Sequence, residues 1–333
     1  METKDKLNRP IHDLRISVID TCNFRCTYCM PADRTYNFLE PEERLTFSEI
    51  ETVARLFVEQ GVRKLRITGG EPLLRRNLAD LVYKLAGIKE VQDISLTTNG
   101  YLLKDQAQSL KDAGLNRITV SLDTIDPSLF QTMSGRNIKL QKVLEGIDEA
   151  HKAGLNPIKI NAVVQRKVNC FKILDLANYF KDRGHIVRFI EYMDVGNQNS
   201  WDMKHVVSSK HLLEKIQAQH SVEALSPAYY GEVASRYRYL DNGVEFGFIS
   251  SVTQPFCGSC TRARLSTDGK IYTCLFASQG TDLKKLLRSQ GSDEQLRRKI
   301  ISTWSQRRDQ YSELRGYGAQ VNEHKVEMFH IGG

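Results

Sequence analysis

A chain of 333 residues with 41% hydrophobic and 26% charged positions has the make-up of a soluble globular protein. It is long enough for one large domain plus a smaller one. The net charge of +7 suits an anionic ligand but is too diffuse to argue for nucleic acid, and no apolar run reaches the length of a spanning helix.

The charged start Met1-Glu2-Thr3-Lys4-Asp5-Lys6 lacks an apolar signal region, so a cytoplasmic protein is expected. In that compartment the seven cysteines point to metal or catalysis more than to disulfides.

The run Leu14–Ile19 reads as the first strand, and Cys22, Cys26 and Cys29 follow it directly. Pro31 to Leu45 reads as an irregular connection. Ser48 is expected to cap a helix, with Glu51 completing a capping box and Ile50, Val53, Ala54, Phe57 and Val58 forming its apolar stripe. Val62–Thr68 is the next strand. The alternation then repeats, with helices near 77–85, 104–113, 138–153 and 171–181 followed by strands at 93–98, 116–122, 157–164 and 186–192. Gly61, Gly87, Gly114, Gly154 and Gly184 stand where left-handed C-caps would sit.

Six strand–helix units predict a parallel sheet wrapped by helices. They are too few for a closed eight-fold barrel, so the expected fold is α/β, an open (βα)6 barrel. Strand alternation directs Arg15, Arg66, Thr97, Ser121 and Lys159 inward. Such folds read out at the C-terminal ends of their strands. The texture changes near Gly231, so residues 1–230 are read as the core domain and 231–333 as a smaller α+β domain. In the latter, Asp241-Asn242-Gly243 marks one hairpin and Asp268-Gly269 another turn, with helical segments near 282–288 and 293–306.

Three thiols within eight residues, Cys22 to Cys29, must converge on one object. Thiolates select zinc or iron–sulfur clusters. Structural zinc takes four protein ligands; this loop has three, and His12 lies beyond the strand. A four-iron cluster on three cysteines, with one iron open, fits better. Cys257, Cys260 and Cys274 form a second set of three, C-x₂-C-x₁₃-C. Its spacing also suits zinc with a distant His205 or His211. The missing close fourth ligand favours iron–sulfur, as do Arg262 and Arg264, which share a strand face and match phosphate oxygens bidentately. A solvated hairpin face is the alternative for that arginine pair, and a small apolar core position is the reading for Cys170.

The first loop, with Tyr28 before its last cysteine, resembles the signature of the radical S-adenosylmethionine (SAM) enzymes. The second set, Thr261-Arg262-Ala263-Arg264 and the terminal Gly332-Gly333 narrow the resemblance to the GTP 3′,8-cyclase family of molybdenum cofactor biosynthesis. It runs nearly end to end, through Asp13–Ser17 and Leu65–Pro72. Thr21 departs from the arginine usual there without removing a ligand.

The resemblance implies a radical SAM-dependent lyase with two 4Fe-4S clusters, on Cys22, Cys26 and Cys29 and on Cys257, Cys260 and Cys274. It implies SAM contacts at Gly70, Ser121, Met193 and the Tyr28 backbone, and GTP contacts at Arg15, Arg66, Thr97, Lys159, Arg262 and Arg264. It implies catalytic roles for Arg262, Arg264, Gly332 and Gly333, the tail entering the active site. The partners it implies are an external one-electron reductant, the next pathway enzyme (cyclic pyranopterin monophosphate synthase) and a second copy in a homodimer, with neither nucleic acid nor membrane. The alternatives are a radical SAM peptide-modifying maturase with an auxiliary cluster and a zinc-stabilised nucleic-acid-binding protein.

Overall fold

The computed structural model describes residues 2–289, 291–315 and 324–333. β1 (Asp13–Ser17) leads through the first cysteine loop to α1 (Phe47–Glu59), β2 (Lys64–Thr68), α2 (Leu78–Ala86), β3 (Asp93–Thr98), α3 (Ala107–Asp112) and β4 (Arg117–Ser121). Then come α4 (Pro127–Ser134), α5 (Leu140–Lys152), β5 (Lys159–Val164), α6 (Ile173–Lys181), β6 (Ile186–Glu191) and α7 (Ser209–Gln217). Next in the chain are β7 (Val222–Leu225), β8 (Ser235–Tyr239), β9 (Glu245–Ile249), β10 (Arg262–Leu265), β11 (Lys270–Tyr272) and β12 (Thr281–Asp282). α8 (Lys284–Arg288), α9 (Asp293–Ser305), α10 (Tyr311–Leu314) and α11 (Met328–Ile331) complete the described elements. None of these helices is long and apolar enough to cross a membrane.

All twelve strands join one sheet in the order β12-β11-β10-β1-β2-β3-β4-β5-β6-β9-β8-β7. β1 to β6 are the parallel strands of the expected open barrel. The sheet then adds a parallel strand at each edge, β10 beside β1 and β9 beside β6. Both come from beyond residue 231, where each is half of an antiparallel pair, β8–β9 or β10–β11. Local pattern therefore shows them as hairpins, and their second, parallel partners lie far away in sequence.

Alternation along each strand sorts the side chains. Leu14, Ile16, Leu65, Ile67, Ile118, Val120, Ile160 and Ala162 are wholly buried and belong to the core cluster shared with apolar helix residues such as Val53, Leu81 and Ile147. Each buried aliphatic side chain contributes ~1.5–3 kcal/mol. Arg15, Arg66, Ser95, Ser121 and Asn161 point to the interior instead.

Three local expectations are corrected. α1 is capped one box earlier: Thr46 Oγ1 accepts from Glu49 N at 3.2 Å and Glu49 Oε2 from Thr46 N at 2.7 Å. Ser48 lies inside the first turn, and Glu51 reaches across to Lys84 at 2.8 Å. Gly87 has φ −72, because α2 unwinds there through further right-handed turns, whereas Gly61, Gly114, Gly154 and Gly184 have positive φ. Cys170 is half-buried against the core edge because it lies in a turn before α6 and not within an element. α4 was not foreseen; Asp126 Oδ1 caps it by accepting from Ser128 N and Leu129 N, both at 3.0 Å, and Pro127 opens it.

Candidate active site

The barrel interior holds a cavity of ≈ 310 Å³ bordered by all six cysteines of the two sets. The sets occupy opposite mouths. Cys22–Cys29 follows the C-terminal end of β1. Cys257 and Cys260 precede the N-terminal start of β10, and Cys274 follows antiparallel β11 to that same end. The interior strands separate the mouths by roughly 15 Å at the ordinary rise per residue. The site thus extends to both strand ends, because β10 enters the sheet from a loop that already carries two thiols.

The first loop is held from several sides. Gly70 N donates to Ile19 O at 2.7 Å and Glu71 N to Thr21 O at 2.9 Å. A Cβ on Gly70 would strike the Thr21 carbonyl, so glycine is required by backbone contact. Gly69 and Gly70 border the cavity; Glu71 does not. Fully buried, Glu71 accepts from Leu73 N at 3.0 Å, Thr98 Oγ1 at 2.7 Å and Asn99 N at 2.7 Å. It braces the β2 and β3 ends and is not free to face a ligand, which leaves the glycines and exposed carbonyls of that turn to do so. Burial lifts its carboxyl to about 7 against the pull of those donors.

Tyr28 OH donates to Asp123 Oδ2 at 2.8 Å, and Val163 N to Asp123 Oδ1 at 2.8 Å; burial pushes Asp123 up to about 6. Arg25 N and Thr27 N donate to Ser134 O and Met133 O at the end of α4, at 2.8 and 3.1 Å. Burial pushes the Cys22 thiol up to about 12 and raises Cys26 and Cys29 strongly, each also feeling the neighbouring sulfur of Cys22. Three soft donors so placed resist ionisation unless a cationic centre compensates them, and a bound metal deprotonates a thiol outright. The donor set fits an iron–sulfur cluster held by three cysteines.

Between the mouths lies an excess of buried positive charge. Arg15 pairs in register with Arg66 on one side and Arg264 on the other. Burial depresses the Arg15 guanidinium far below its ordinary range, and Arg264, Arg66 and Arg262 add repulsion. Arg66 shifts down through burial and Arg117. Burial and Arg262 bring Arg264 to about 10, and burial with Arg66 and Arg117 brings Arg188 to about 9. Asp93 is committed to Arg117 at 2.8 and 2.5 Å, and Asp13 accepts from Thr261 Oγ1 at 2.8 Å. Thr97, Ser121, Tyr28 and Met193 border the cavity; Thr97 Oγ1 accepts from Arg66 Nη1 at 3.5 Å.

Lys159 lies outside that cavity. It borders an adjoining cleft that shares Arg188, Tyr229 and Val233 with it, and burial followed by repulsion from Arg188, Arg117 and Arg66 takes its ammonium to about 7.

At the second mouth, burial alone would raise Cys260, but Arg262 and Arg307 bring it down to about 6. Arg262 Nη2 donates to its sulfur at 3.2 Å and Arg307 Nη2 at 3.1 Å. Cys274 is raised by burial to about 11. Neither His205 nor His211 borders the cavity. Among the described residues, no group of three or more His, Cys, Asp or Glu is drawn together as ligands of one ion. These donors too fit a cluster on three cysteines.

The tail crosses the first mouth. Met328, Phe329 and Gly333 border the cavity, and the Gly332 carbonyl accepts from Arg264 Nη1. Phe329 packs edge-on to Tyr36 at 5.6 Å, and His330 meets Asp268 at 3.1 Å.

The sequence reading passed over Lys64, Arg117, Arg188 and Arg307, all of which border the cavity. Alternation would have found the first three: Lys64 is two before Arg66, Arg117 shares a face with Ser121, and Arg188 pairs with inward-facing Asn161. Arg307 carries no such signal, because it lies in irregular chain just past α9.

The profile described as Radical SAM superfamily matches residues 16–206, and that of Molybdenum Cofactor Synthesis C matches residues 185–313. The chain is 52% identical over 335 aligned positions to the GTP 3′,8-cyclase of Staphylococcus carnosus (strain TM300), covering 99% of this chain and 98% of that one. Its identity to the GTP 3′,8-cyclase of Staphylococcus haemolyticus (strain JCSC1435) is 49%, over 100% and 99% of the two chains. Among solved structures, Streptococcus suis SuiB bound to S-adenosylmethionine has the same fold, with a TM-score of 0.61 and 17% identity over 89% of this chain and 69% of that one. A cysteine-bordered parallel barrel, matched end to end at such identity, is a family trait: the chain belongs to the GTP 3′,8-cyclase family of the radical SAM superfamily.

Proposed function

We propose that this chain binds SAM and GTP in its barrel and converts GTP to 3′,8-cyclo-7,8-dihydro-GTP, the first step of molybdenum cofactor biosynthesis. The observation that carries the reading is the buried, undercompensated layer of Arg15, Arg66, Arg264 and Arg188 between two sets of three cysteines. Such charge demands an anion, and each charge-assisted bond to a triphosphate is worth ~1.5–3 kcal/mol.

Cys22, Cys26 and Cys29 would hold one 4Fe-4S cluster and Cys257, Cys260 and Cys274 the other. When bound, the first cluster with SAM and one electron would supply a 5′-deoxyadenosyl radical able to take the ribose 3′ hydrogen; closing C3′ on C8 to the dihydro product would require a second electron and a proton, the electron again from the external reductant.

The chain's share is positional. Gly70, Ser121, Met193 and the Tyr28 backbone orient SAM at the first mouth. Arg15, Arg66, Thr97, Arg262 and Arg264 orient GTP with its base toward the second, and Lys159 reaches the triphosphate from the adjoining cleft. Gly332 and Gly333 narrow the first mouth and exclude water. Residues 1–230 act as the SAM-cleaving unit and 231–333 as the GTP-holding unit. An external one-electron reductant, a second copy in a homodimer and cyclic pyranopterin monophosphate synthase are the partners of a cytoplasmic enzyme.

The test is anaerobic incubation with GTP deuterated at the ribose 3′ position, SAM and a reductant. The expected result is 5′-deoxyadenosine carrying the deuterium, a nucleotide isomer of GTP lacking it, and about eight irons per chain. Deuterium retained in the nucleotide, or zinc in place of iron, would overturn the reading.

A further inference from the structure

The second cysteine loop rests on a buried ionic network that its own hairpin does not provide. Arg307, with its side chain 2% exposed, places Nη1 on Cys260 O at 2.7 Å and Nη2 on Cys260 Sγ at 3.1 Å. Two carboxylates fix it, Asp309 at 3.2 Å and Asp5 at 3.5 Å. Asp5 also takes Arg9 Nε at 2.6 Å, and Arg9 Nη1 donates to Cys257 O at 2.7 Å and Asp309 O at 2.8 Å. Trp304 Nε1 holds the Arg9 carbonyl at 3.1 Å. The first turn of the chain and the segment after α9 thus close from below on the loop that carries Cys257 and Cys260.

In the first set Arg25 Nη1 donates to the Cys22 carbonyl at 2.7 Å, yet among the described residues no guanidinium donates to one of its sulfurs. Cys22 Sγ receives a backbone N–H from Phe24 at 3.4 Å and a side-chain amide from Asn99 at 3.9 Å. The charged groups acting on that set include the carboxyls of Glu71 at Cys22 and Asp123 at Cys26, with Arg25 a smaller opposing influence at Cys22. Hydrogen bonds and positive charge at ligating sulfurs raise a cluster's reduction potential, and anionic neighbours lower it.

We infer that Arg307 is a positioning residue for the C-terminal cluster. Its bond to Cys260 Sγ, held by Asp5 and Asp309, sets that cluster's reduction potential above that of the N-terminal one. The inference rests on reading the six cysteines as ligands of two clusters. Arg262 shares the sulfur but is also read as a GTP contact, whereas Arg307, although it borders the cavity too, has its guanidinium committed to Cys260, Asp5 and Asp309.

The experiment is an anaerobic redox titration of the full-length holoenzyme followed by electron paramagnetic resonance. A variant with Cys22→Ala, Cys26→Ala and Cys29→Ala, keeping only the C-terminal cluster, assigns the signals. Arg307→Gln is expected to lower the equilibrium constant for one-electron reduction of the C-terminal cluster about tenfold, ~59 mV, and to leave the N-terminal cluster unmoved. Arg307→Lys, which keeps the charge, is expected to recover part of that shift.

An unchanged C-terminal potential with iron retained would overturn the inference, as would equal shifts at both clusters. Loss of C-terminal iron from both Arg307 variants would overturn it too, leaving a purely structural role. Wild-type protein carrying one cluster would overturn the two-cluster reading itself, before any variant is compared.

Discussion

The two cysteine sets have the same ligand count and opposite surroundings. The first is buried among carboxylates, amides and backbone, and its thiols are pushed up by desolvation. The second is wrapped by guanidiniums, and one of its thiols is brought down to about 6. Ligand count alone therefore does not set the chemistry of either; the charge standing behind the sulfurs does. Under the proposed function, one mouth would suit a centre that gives up an electron and the other a centre that accepts electron density from a bound base.

The sharpest break in that comparison is removal of a ligand from one side only. Cys26→Ala is expected to abolish 5′-deoxyadenosine formation, by at least ~10³-fold, and to leave about four irons per chain. Cys260→Ala should also leave four irons yet keep SAM cleavage without cyclisation. Chromatography of the nucleosides beside iron analysis checks both.

Gly70→Ala tests whether the first loop depends on its backbone contact with Thr21. The added methyl has no room, so the first set is expected to lose most of its iron, with thermal stability falling by about 1–3 kcal/mol. Retained iron and an unshifted melting curve would contradict the role given to that glycine.

Arg15→Ala is expected to weaken GTP binding about 10- to 100-fold, the loss of one charge-assisted bond, while SAM affinity stays within about twofold. Calorimetry with each ligand separates the two. Equal losses for both would mean that the arginine layer holds the barrel together and is not a receptor.

The smallest effect concerns Lys159. Burial and the neighbouring guanidiniums bring its ammonium down to about 7 from the ordinary 10.5, so between those values the unfolded chain binds the proton and the folded chain does not. Stability without ligand is therefore expected to rise with pH across that window. A triphosphate restores the charge, so GTP binding near pH 8 should take up a fraction of a proton, seen as buffer-dependent calorimetric heat. The uptake should vanish at pH 6 and in Lys159→Arg.

What the sequence made legible was chemistry at short range. Cysteine spacing marked both mouths, and strand alternation marked Arg15, Arg66 and Thr97 as inward-facing. The rest depends on contacts distant in sequence. β9 and β10 look like hairpin strands because their antiparallel partners are adjacent, while their parallel partners β6 and β1 are not. Glu71 carries no sign in its own stretch that Thr98 and Asn99, one strand away, claim its carboxylate. Arg307 has no periodic context at all; its meaning comes from Cys260 and from Asp5 near the opposite terminus. Lys159 has the right alternation, yet the main cavity ends before reaching it, because Tyr229 and Val233 divide the space.

The pairing of β10 with β1 also has a bearing on assembly. Asp13 is made early and its neighbour Arg262 late, so a growing polypeptide has Cys22, Cys26 and Cys29 before it has the strand that covers the edge of β1. Once Arg262–Leu265 docks, the edge of β1 is covered, and Phe329 and the Cys257–Cys260 loop border the finished cavity. The order of translation therefore leaves one wall of the site to be completed by the C-terminal part of the chain.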